Sequence, residues 1–240
     1  VALSGEAAVE LFGGYRWFHN TRAIFADTFP WLTPGSIRYF GGTSLLDRKL
    51  LDHLEIPAYR AARYQEALAE TPTLAGETDS ERRMRTITYL NLTRFLRTLL
   101  DRKDRMSMAV GLEVRVPYCD HQLIEYVFNV PWSMKTVDGR EKSLLRAAVR
   151  DLLPHNVIDR VKNPYPAIQH PAYEQALRGR LAAVAADPQA PVHPLLDHDR
   201  VRRALNRPAR DVSMPYDRGG IEMALWLDSW LRAYDVVLDV

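Results

Sequence analysis

The amino-acid sequence predicts a mostly α-helical chain with about one strand, at its beginning. Thr78 and Glu81 have the spacing of a helix capping box, and apolar residues at helical spacing follow over 92–99. A strongly apolar segment over 219–234 has the length of a closing helix. Residues 1–3 are apolar and lead into a small-residue turn, as at the end of a strand. The 240 residues are enough for one sizeable core.

Further helices are predicted from local signals along the chain. Residues 7–12 fit the first turns of a helix after the strand. Pro57 suits the first turn of a helix over 57–70, where its missing N–H is not needed. A helix over about 140–153 carries apolar residues on one side and stops before Pro154. The aromatic residues of 12–40 are predicted to form short helices and core, and the prolines of 187–215 predict loops around one short helix.

The composition excludes several classes of protein. The 32 Lys and Arg are interleaved with 30 Asp and Glu, giving a net charge of +2, so we expect no nucleic-acid partner. No apolar run approaches the roughly 20 residues of a membrane-spanning helix, so we expect no membrane contact. The single cysteine, Cys119, rules out an internal disulfide and favours a cytoplasmic location. Because an apolar strand begins at Val1 without a lead-in, we expect the chain to be part of a longer protein.

The turn Ser4-Gly5-Glu6 is the first candidate site. A small-residue turn between a strand and a helix presents backbone N–H groups and the positive end of the helix to a phosphate. A carboxylate at Glu6 would then orient or deprotonate a substrate group. The alternative is structural, because a carboxylate at the beginning of a helix is stabilised by the helix dipole.

A dense set of charged residues over 101–115 is the second candidate site. Basic and acidic residues alternate over 101–105, and Glu113 and Arg115 follow. Many of the intervening residues are apolar, and ionised groups among apolar neighbours need partners or a function. Glu113 is therefore a candidate partner that positions Glu6. The alternative is a salt-bridge network that joins two helices.

Lys142 is the third candidate. It follows an Asp138-Gly139 turn and is predicted in the first turn of the helix over 140–153. Positive charge is disfavoured at that end of a helix, which indicates that the side chain serves an anionic ligand. The alternative is an ordinary exposed lysine. The histidines show no metal-ligand spacing, and Cys119 is predicted to be a buried core thiol.

Together, the three clusters resemble the synthetase domain of glutamine-hydrolysing asparagine synthetases. The segment SGE…ELFGGYRWF is similar to the family's SGEGSDELFGGY turn, and DRMSMAVGLEVRVPYCDHQLIEYV to its DRMSMAxGLExRVPFLDxxLVE block. DGREKSLLRAA is similar to the family's GxEKxLLRxA segment, and the end of the chain resembles actinobacterial members. The likeness covers residues 1–240, as the C-terminal part of that domain.

The resemblance implies an α/β domain of the nucleotide α-hydrolase (PP-loop ATPase) type, of which this chain holds most of the helices and about one strand. It implies an ATP-dependent ligase that activates aspartate as an aspartyl-adenylate, with release of pyrophosphate. Ammonia from glutamine then gives asparagine and AMP. The implied partners are these small molecules and the missing N-terminal portion, in cis or in trans, and the family is compatible with a homo-oligomer.

The resemblance also assigns residues. Ser4 and Gly5 match the turn that binds ATP, and Glu6 matches a residue that forms and handles the adenylate. Lys142 matches a lysine whose charge faces the polyphosphate, where a fixed cation stabilises developing negative charge. Glu113 matches half of a base dyad in the related β-lactam-forming synthetases, and in asparagine synthetases we expect it to serve structure and orientation.

Two departures from the family pattern bear on activity. The SGGxDS nucleotide loop and the glutaminase domain would lie before Val1. Ala7, Ala8 and Val9 stand where the family has Gly, Ser and Asp, and that Asp helps to hold Mg²⁺ against the pyrophosphate. Valine offers no oxygen to a hard cation, so no metal ligand is expected at this position. We therefore expect this chain by itself to be inactive.

Two other functions stay open from the sequence. The same scaffold serves specialised relatives that form amides or lactams, since function depends on the site rather than the fold. Glutamate rather than tyrosine at position 6 favours the asparagine branch. The altered turn and the absent loop also fit a non-catalytic remnant, or a subunit that binds a separate chain.

Overall fold

A computed structural model of the chain describes residues 1–33, 42–162, 170–207 and 215–238. The chain divides into two compact units, one of Val1–Ser36 with Ala61–Pro164 and one of Ile37–Arg60 with Tyr165–Val240. In the described ranges most regular structure is helical, which confirms the mostly α-helical prediction. No described helix is both long enough and apolar enough to cross a membrane. Residues 34–40 of the predicted aromatic segment lie outside the described residues.

The helices have the following bounds. Numbered along the chain, the α-helices are α1 (Ala8–Leu11), α2 (Thr21–Ile24), α3 (Arg48–His53), α4 (Ile56–Ala69), α5 (Asp79–Leu90), α6 (Leu96–Met108), α7 (His121–Phe128), α8 (Trp132–Lys135), α9 (Ser143–Ala148), α10 (His155–Ile158), α11 (Pro171–Ala186), α12 (His198–Asn206) and α13 (Pro215–Ala233). Short 3₁₀ turns are Arg16–His19, Pro30–Leu32, Pro117–Cys119 and His193–Leu195. The predicted helices near 7–12, 57–70 and 219–234 are confirmed by α1, α4 and α13.

The sheet of the first unit has two short parallel strands. Strand β1 (Ala2–Leu3) pairs with β2 (Val114–Arg115), with Ala2 opposite Val114 and Leu3 opposite Arg115. The prediction of a single strand was therefore one strand short. Two residues are too few for a period-2 pattern to stand out, and one of the two, Arg115, is charged, so the pairing alone defines this strand.

The long helix predicted from Thr78 is present, with an irregularity at its middle. The Thr78 side chain accepts a hydrogen bond from the Glu81 N–H, as in a capping box. The Glu81 carboxylate turns away from the cap and accepts from the backbone N–H of Trp132, at 2.7 Å. A π-helical turn (Asn91–Phe95) joins α5 to α6. Buried Asn91 lies at this turn and accepts from the indole N–H of Trp17, at 3.2 Å, which ties the aromatic segment to the helix.

The helix predicted over 140–153 is much shorter in the structure. Only Ser143–Ala148 is helical, and Lys142 is the N-cap residue with a left-handed φ of 56° rather than a first-turn residue. A residue with a left-handed backbone ends the preceding turn and does not continue a helix. Turns follow up to 153, and Leu152 is 77% exposed, so the apolar stripe that suggested a longer helix does not face the core along its whole length.

Aromatic side chains form part of the core of the first unit, as predicted. Phe18 and Phe29 are buried, whereas Phe25 is 65% exposed and lies outside this core. The Tyr15 ring stacks on the Trp17 ring with centroids 4.1 Å apart. The other rings in this group are Trp31, Tyr64 and Phe95.

The second unit is a helical assembly with a separate core. Helices α11 and α13 pack together, and an antiparallel bridge joins Leu46 to Leu196. Leu181, Ile221 and Leu231 are almost fully buried in its centre. The helix α12 within 187–215 confirms the predicted short helix in that proline-rich part.

Candidate functional site

The opening turn connects β1 to α1 in the first unit. The Ser4 N–H donates to the Arg115 carbonyl, at 2.9 Å, so the ladder between the strands continues into the turn. Gly5 is exposed, and its carbonyl accepts from the Ala8 N–H, at 3.3 Å. Ala7 is fully buried with a left-handed φ of 72°. This conformation suits glycine and strains alanine, so the turn keeps a backbone shape that its present residue does not favour.

The ammonium group of Lys103 holds the polar side chains of this turn together. Its Nζ lies 2.7 Å from Oε1 of Glu6 and donates to Oγ of Ser4, also at 2.7 Å. Lys103 comes from α6, and the side chains of Lys103 and Glu6 are 25% and 19% exposed. The structure therefore brings Ser4 and Glu6 together, through a lysine from the second charged cluster. The ion pair joins α6 to the turn, whereas the structural alternative for that cluster was a network between two helices.

Glu10, on α1, is a second carboxylate of the site. It is fully buried, and its Oε1 accepts a hydrogen bond from the Tyr15 hydroxyl, at 2.7 Å. Burial raises the pKa of Glu10, and the hydrogen bond from Tyr15 opposes that rise. Among the described residues, Oε2 of Glu10 has no hydrogen-bond partner. Sequence reasoning missed this residue because, in an ELF segment, a glutamate at the first turn of a helix resembles an ordinary favourable charge.

Two glycines shape the loop after α1. Gly13 has a left-handed φ of 66°, and a Cβ there would overlap the Trp132 ring. A Cβ on Gly14 would lie 2.8 Å from Cγ1 of Val9 and 3.1 Å from Cε of Lys142. Val9 and Lys142 therefore both pack against the same glycine. This close approach brings the third candidate, Lys142, to the loop after α1.

Lys142 is surrounded by other charged groups of the same unit. Burial lowers the pKa of Lys142, and the positive charges of Lys162 and Arg146 lower it further. Glu141 and Glu10 act in the opposite direction. The Lys162 ammonium lies 5.5 Å from the centre of the Tyr15 ring, as well as near Glu10. Lys162, which sequence reasoning did not single out, is thus a second cation of this site.

The guanidinium group of Arg146 fixes the segment that carries Lys162. It donates to the Ile158 carbonyl, to the Arg160 carbonyl at 2.9 Å, and to the Glu141 carboxylate at 2.9 Å. The same carboxylate accepts from the Lys162 N–H, at 3.1 Å. Arg146 is 14% exposed, so these bonds form in a largely dry environment. A single arginine therefore ties the start of α9 to the chain that returns past α10.

Glu113 takes part in the sheet through its backbone. Its carbonyl accepts from the Ala2 N–H, at 2.8 Å, while its carboxylate pairs with Arg115 at 2.8 Å and is 51% exposed. The apolar residues of this cluster do not enclose its ionised groups in a core. Met106 and Val110 are 69% and 80% exposed, so this stretch is a surface on which charged and apolar side chains alternate.

Cys119 is half-buried rather than fully buried, which corrects the prediction of a core thiol. Burial and the negative charges of Glu10 and Glu6 raise the pKa of its thiol. A raised pKa disfavours the thiolate, which is the nucleophilic form of a cysteine.

The described residues do not form a metal site. They contain no group of three or more His, Cys, Asp or Glu side chains arranged to hold a metal ion. A methyl group of Val9 lies against Gly14, at the position where the resemblance implied a carboxylate. The residues present therefore do not fit Mg²⁺ at this position, because that ion needs oxygen ligands.

Known proteins resemble this chain over its whole length. Residues 1–232 match the family model described as Asparagine synthase. The chain belongs to the asparagine synthase family. It is 40% identical over 245 aligned positions to asparagine synthetase [glutamine-hydrolyzing] 3 of Bacillus subtilis (strain 168), an alignment that covers 100% of this chain and 39% of the relative. The resemblance read from the motifs is thereby confirmed.

Other members of the asparagine synthase family match more weakly or over shorter segments. Asparagine synthetase [glutamine-hydrolyzing] 1 of Bacillus subtilis (strain 168) is 28% identical over 199 positions, 71% of this chain and 31% of that protein. Asparagine synthetase [glutamine-hydrolyzing] of Rattus norvegicus is 42% identical over 67 positions, 27% of this chain and 12% of that protein. The chain spans about two fifths of the length of the Bacillus relative that it matches throughout.

The site combines carboxylates and lysine ammonium groups around the short helix α1. Glu6 and Glu10 are carboxylates that can orient a substrate or accept a proton, and Lys142 and Lys162 are cations that can face a polyphosphate. Lys103 is already engaged by Ser4 and Glu6. Of the four positive-φ residues other than glycine in the described chain, Ala7 and Lys142 belong to this site. Backbone strain of this kind concentrates at functional sites.

Proposed function

We propose that this chain forms the C-terminal part of an ATP-dependent amide-forming ligase that makes asparagine. In this reaction ATP activates the side-chain carboxylate of aspartate as an acyl-adenylate, pyrophosphate leaves, and ammonia attacks the acyl carbon. The observation that carries the proposal is the placement of Glu6, Glu10, Lys142 and Lys162 around α1 and the turns on either side of it. The names of the relatives support asparagine as the product.

In the proposed reaction, Lys142 and Lys162 bind the polyphosphate. Their neighbouring positive charges are unfavourable in the absence of an anion, and an anion between them would remove that repulsion. A fixed pair of cations that faces the leaving pyrophosphate lowers the barrier to its departure. Ser4 and Gly5 shape the turn that receives ATP. Val9 offers no oxygen ligand to Mg²⁺, so in this proposal the two lysines stabilise the charge of the pyrophosphate.

Glu6 is proposed to orient the substrates of the acyl transfer. Its carboxylate is held by Lys103, so its position is defined before a substrate binds. Glu113 is proposed to serve orientation rather than chemistry, since its backbone belongs to the sheet and its carboxylate pairs with Arg115 at the surface. We also propose that the complete domain has the α/β fold of the nucleotide α-hydrolase type and that the protein is cytoplasmic. A glutamine-hydrolysing portion, in cis or in trans, would supply the ammonia.

The test is aspartate-dependent exchange of labelled pyrophosphate into ATP, measured on the full polypeptide that the gene encodes. We expect exchange that requires aspartate and falls by about tenfold or more in Lys142→Met, the effect of losing one charge-assisted contact. Lys49→Met is the matched control, because Lys49 is exposed on α3 in the other unit. Equal exchange in the two variants would show that Lys142 does not act on the polyphosphate.

The same experiment separates the ligase from a non-catalytic remnant. The altered residues Ala7, Ala8 and Val9 are the observation in favour of a remnant. Absence of aspartate-dependent exchange, both in the native polypeptide and after Val9→Asp, would favour the remnant. Exchange with a different carboxylic acid and not with aspartate would indicate a specialised amide-forming relative.

A further inference from the structure

Lys103 reaches the opening turn from a part of α6 whose other side chains face solvent. Its neighbours in the helix, Arg102 and Asp104, are exposed, whereas the Lys103 side chain is only 25% exposed. The ammonium group lies 2.7 Å from Oε1 of Glu6 and donates to Oγ of Ser4, also at 2.7 Å. One cation therefore contacts the side chains on both sides of the glycine between them.

The turn that Lys103 contacts has little packing at its middle. Gly5 is exposed, and a Cβ there would have no neighbour within 4 Å. Glycine has more backbone freedom than any other residue, so Gly5 does not by itself fix Ser4 relative to Glu6. The next residue, Ala7, has a left-handed φ of 72°, a conformation that persists only where the surroundings enforce it. Lys103 supplies a restraint of this kind from outside the turn.

The stability of the ion pair does not explain this arrangement. A partly buried ion pair loses hydration as it gains Coulomb attraction, so its net contribution to stability is small. A fixed geometry is a separate consequence of the same contacts, because one ammonium group with two oxygen partners sets their relative positions. The Glu6 side chain is still 19% exposed, so a substrate can reach its carboxylate while Lys103 holds it.

We propose that Lys103 is a positioning residue of the ligase site and acts through Glu6, whose carboxylate it holds in the orientation that the reaction uses. The inference rests on the proposed function for the role of Glu6. Lys103 itself contacts neither ATP nor aspartate in this arrangement, since Ser4 and Glu6 engage its ammonium group. Loss of Lys103 should therefore lower the rate with bound substrates rather than the affinity for ATP.

The test is a double-mutant cycle on aspartate-dependent pyrophosphate exchange by the full polypeptide. Lys103→Met is expected to lower the rate at saturating ATP and aspartate by about tenfold, with the KM for ATP changed by less than about twofold. In a Glu6→Gln background, Lys103→Met should change the rate by less than about twofold, because no carboxylate remains to be held. Arg97→Met, at an exposed residue of the same helix, is the matched control and should leave the rate within about twofold of the wild type.

Two kinetic results would overturn the inference. A further loss of about tenfold when Lys103→Met is added to Glu6→Gln would show that Lys103 does not act through Glu6. A loss confined to the KM for ATP would show that Lys103 acts on nucleotide binding instead. If exchange by Glu6→Gln is too slow to measure, Glu6→Asp replaces it, because the shorter side chain keeps the charge and withdraws it from the Lys103 ammonium.

The contact itself is measured without substrates, so the inference and the proposed function can fail separately. The nitrogen-15 resonance of the Lys103 ammonium group is identified by its loss in Lys103→Met. We expect this resonance to shift in Glu6→Gln and to stay in place in Glu70→Gln, since the Glu70 carboxylate pairs with Arg94. An unchanged Lys103 resonance in Glu6→Gln would overturn the inference, even where exchange by the wild type supports the proposed function. A wild type without exchange would overturn the proposed function, while the shifted resonance would still show that Lys103 holds Glu6.

Discussion

Lys135 is a buried cation that the proposed chemistry does not use, and its removal should stabilise the protein. The residue ends α8 and is only 2% exposed, in a small cavity lined in part by Glu81, Arg85 and Phe128. Burial lowers the pKa of Lys135 from 10.5 to about 8, with Arg85 acting in the same direction and Glu81 against it. The native state therefore holds a charge in a place that disfavours it.

The lowered pKa of Lys135 determines how much stability its buried charge costs. Each pKa unit corresponds to about 1.4 kcal/mol, so the lowered pKa represents about 3 kcal/mol of lost stability wherever both states are protonated, below pH 8. Between pH 8 and 10.5 the unfolded chain retains a proton that the native state has released. The free energy of unfolding should therefore rise with pH in this window. Lys135→Met keeps the length of the side chain and removes the charge.

The assay is urea unfolding of the wild type and Lys135→Met at several pH values between 7 and 10. We expect Lys135→Met to be more stable by about 3 kcal/mol at pH 7, with the difference shrinking as the pH approaches 10. Lys49→Met, at an exposed lysine, should remain within about 0.5 kcal/mol of the wild type throughout. A constant difference between Lys135→Met and the wild type across this pH range would refute the reasoning, because the effect would then not come from titration of Lys135.

Two further predictions concern the site. Arg146→Met should destabilise the first unit by about 3 kcal/mol in urea unfolding, since it leaves backbone carbonyls and Glu141 without their donor. Arg105→Met, at a side chain that is 76% exposed, should lower the free energy of unfolding by less than about 1 kcal/mol. Equal losses of stability in Arg146→Met and Arg105→Met would contradict this account. The second prediction concerns Val9: Val9→Asp should increase pyrophosphate release by the full polypeptide at saturating Mg²⁺, because it supplies an oxygen ligand. An unchanged rate would show that Val9 is not what limits release.

The sequence predicted the larger helices and missed the short pairings. The capped helix from Thr78 and the closing helix depend on local signals, namely a cap residue and apolar spacing, so they can be recognised in a single segment. Strand β2 has two residues, and its existence depends on β1, far away in the chain. The predicted helix over 140–153 was too long because Lys142 has a left-handed φ and the helix begins only after it, which the spacing of apolar residues does not record.

The candidate site was predicted in part. Motif resemblance identified Ser4, Glu6 and Lys142; the structure joins Ser4 and Glu6 through Lys103 and places Lys142 against Gly14, after α1. Glu10 and Lys162 were missed because their significance comes from burial and from neighbours distant in sequence. Spacing along one helix or turn cannot show that a carboxylate lacks a hydrogen bond.

The pairing of β1 with β2 also determines when the site can form during folding. Strand β1 is made first, but its partner and the Lys103 that holds Ser4 are far along the chain, 99 residues away for the Lys103–Ser4 hydrogen bond. Closing a loop of this length costs chain entropy before any contact compensates for it, so such contacts form slowly. On the ribosome, the opening turn must wait until α6 and β2 have been synthesised. The opening turn, Ser4-Gly5-Glu6, is therefore among the last parts of the first unit to acquire its native geometry.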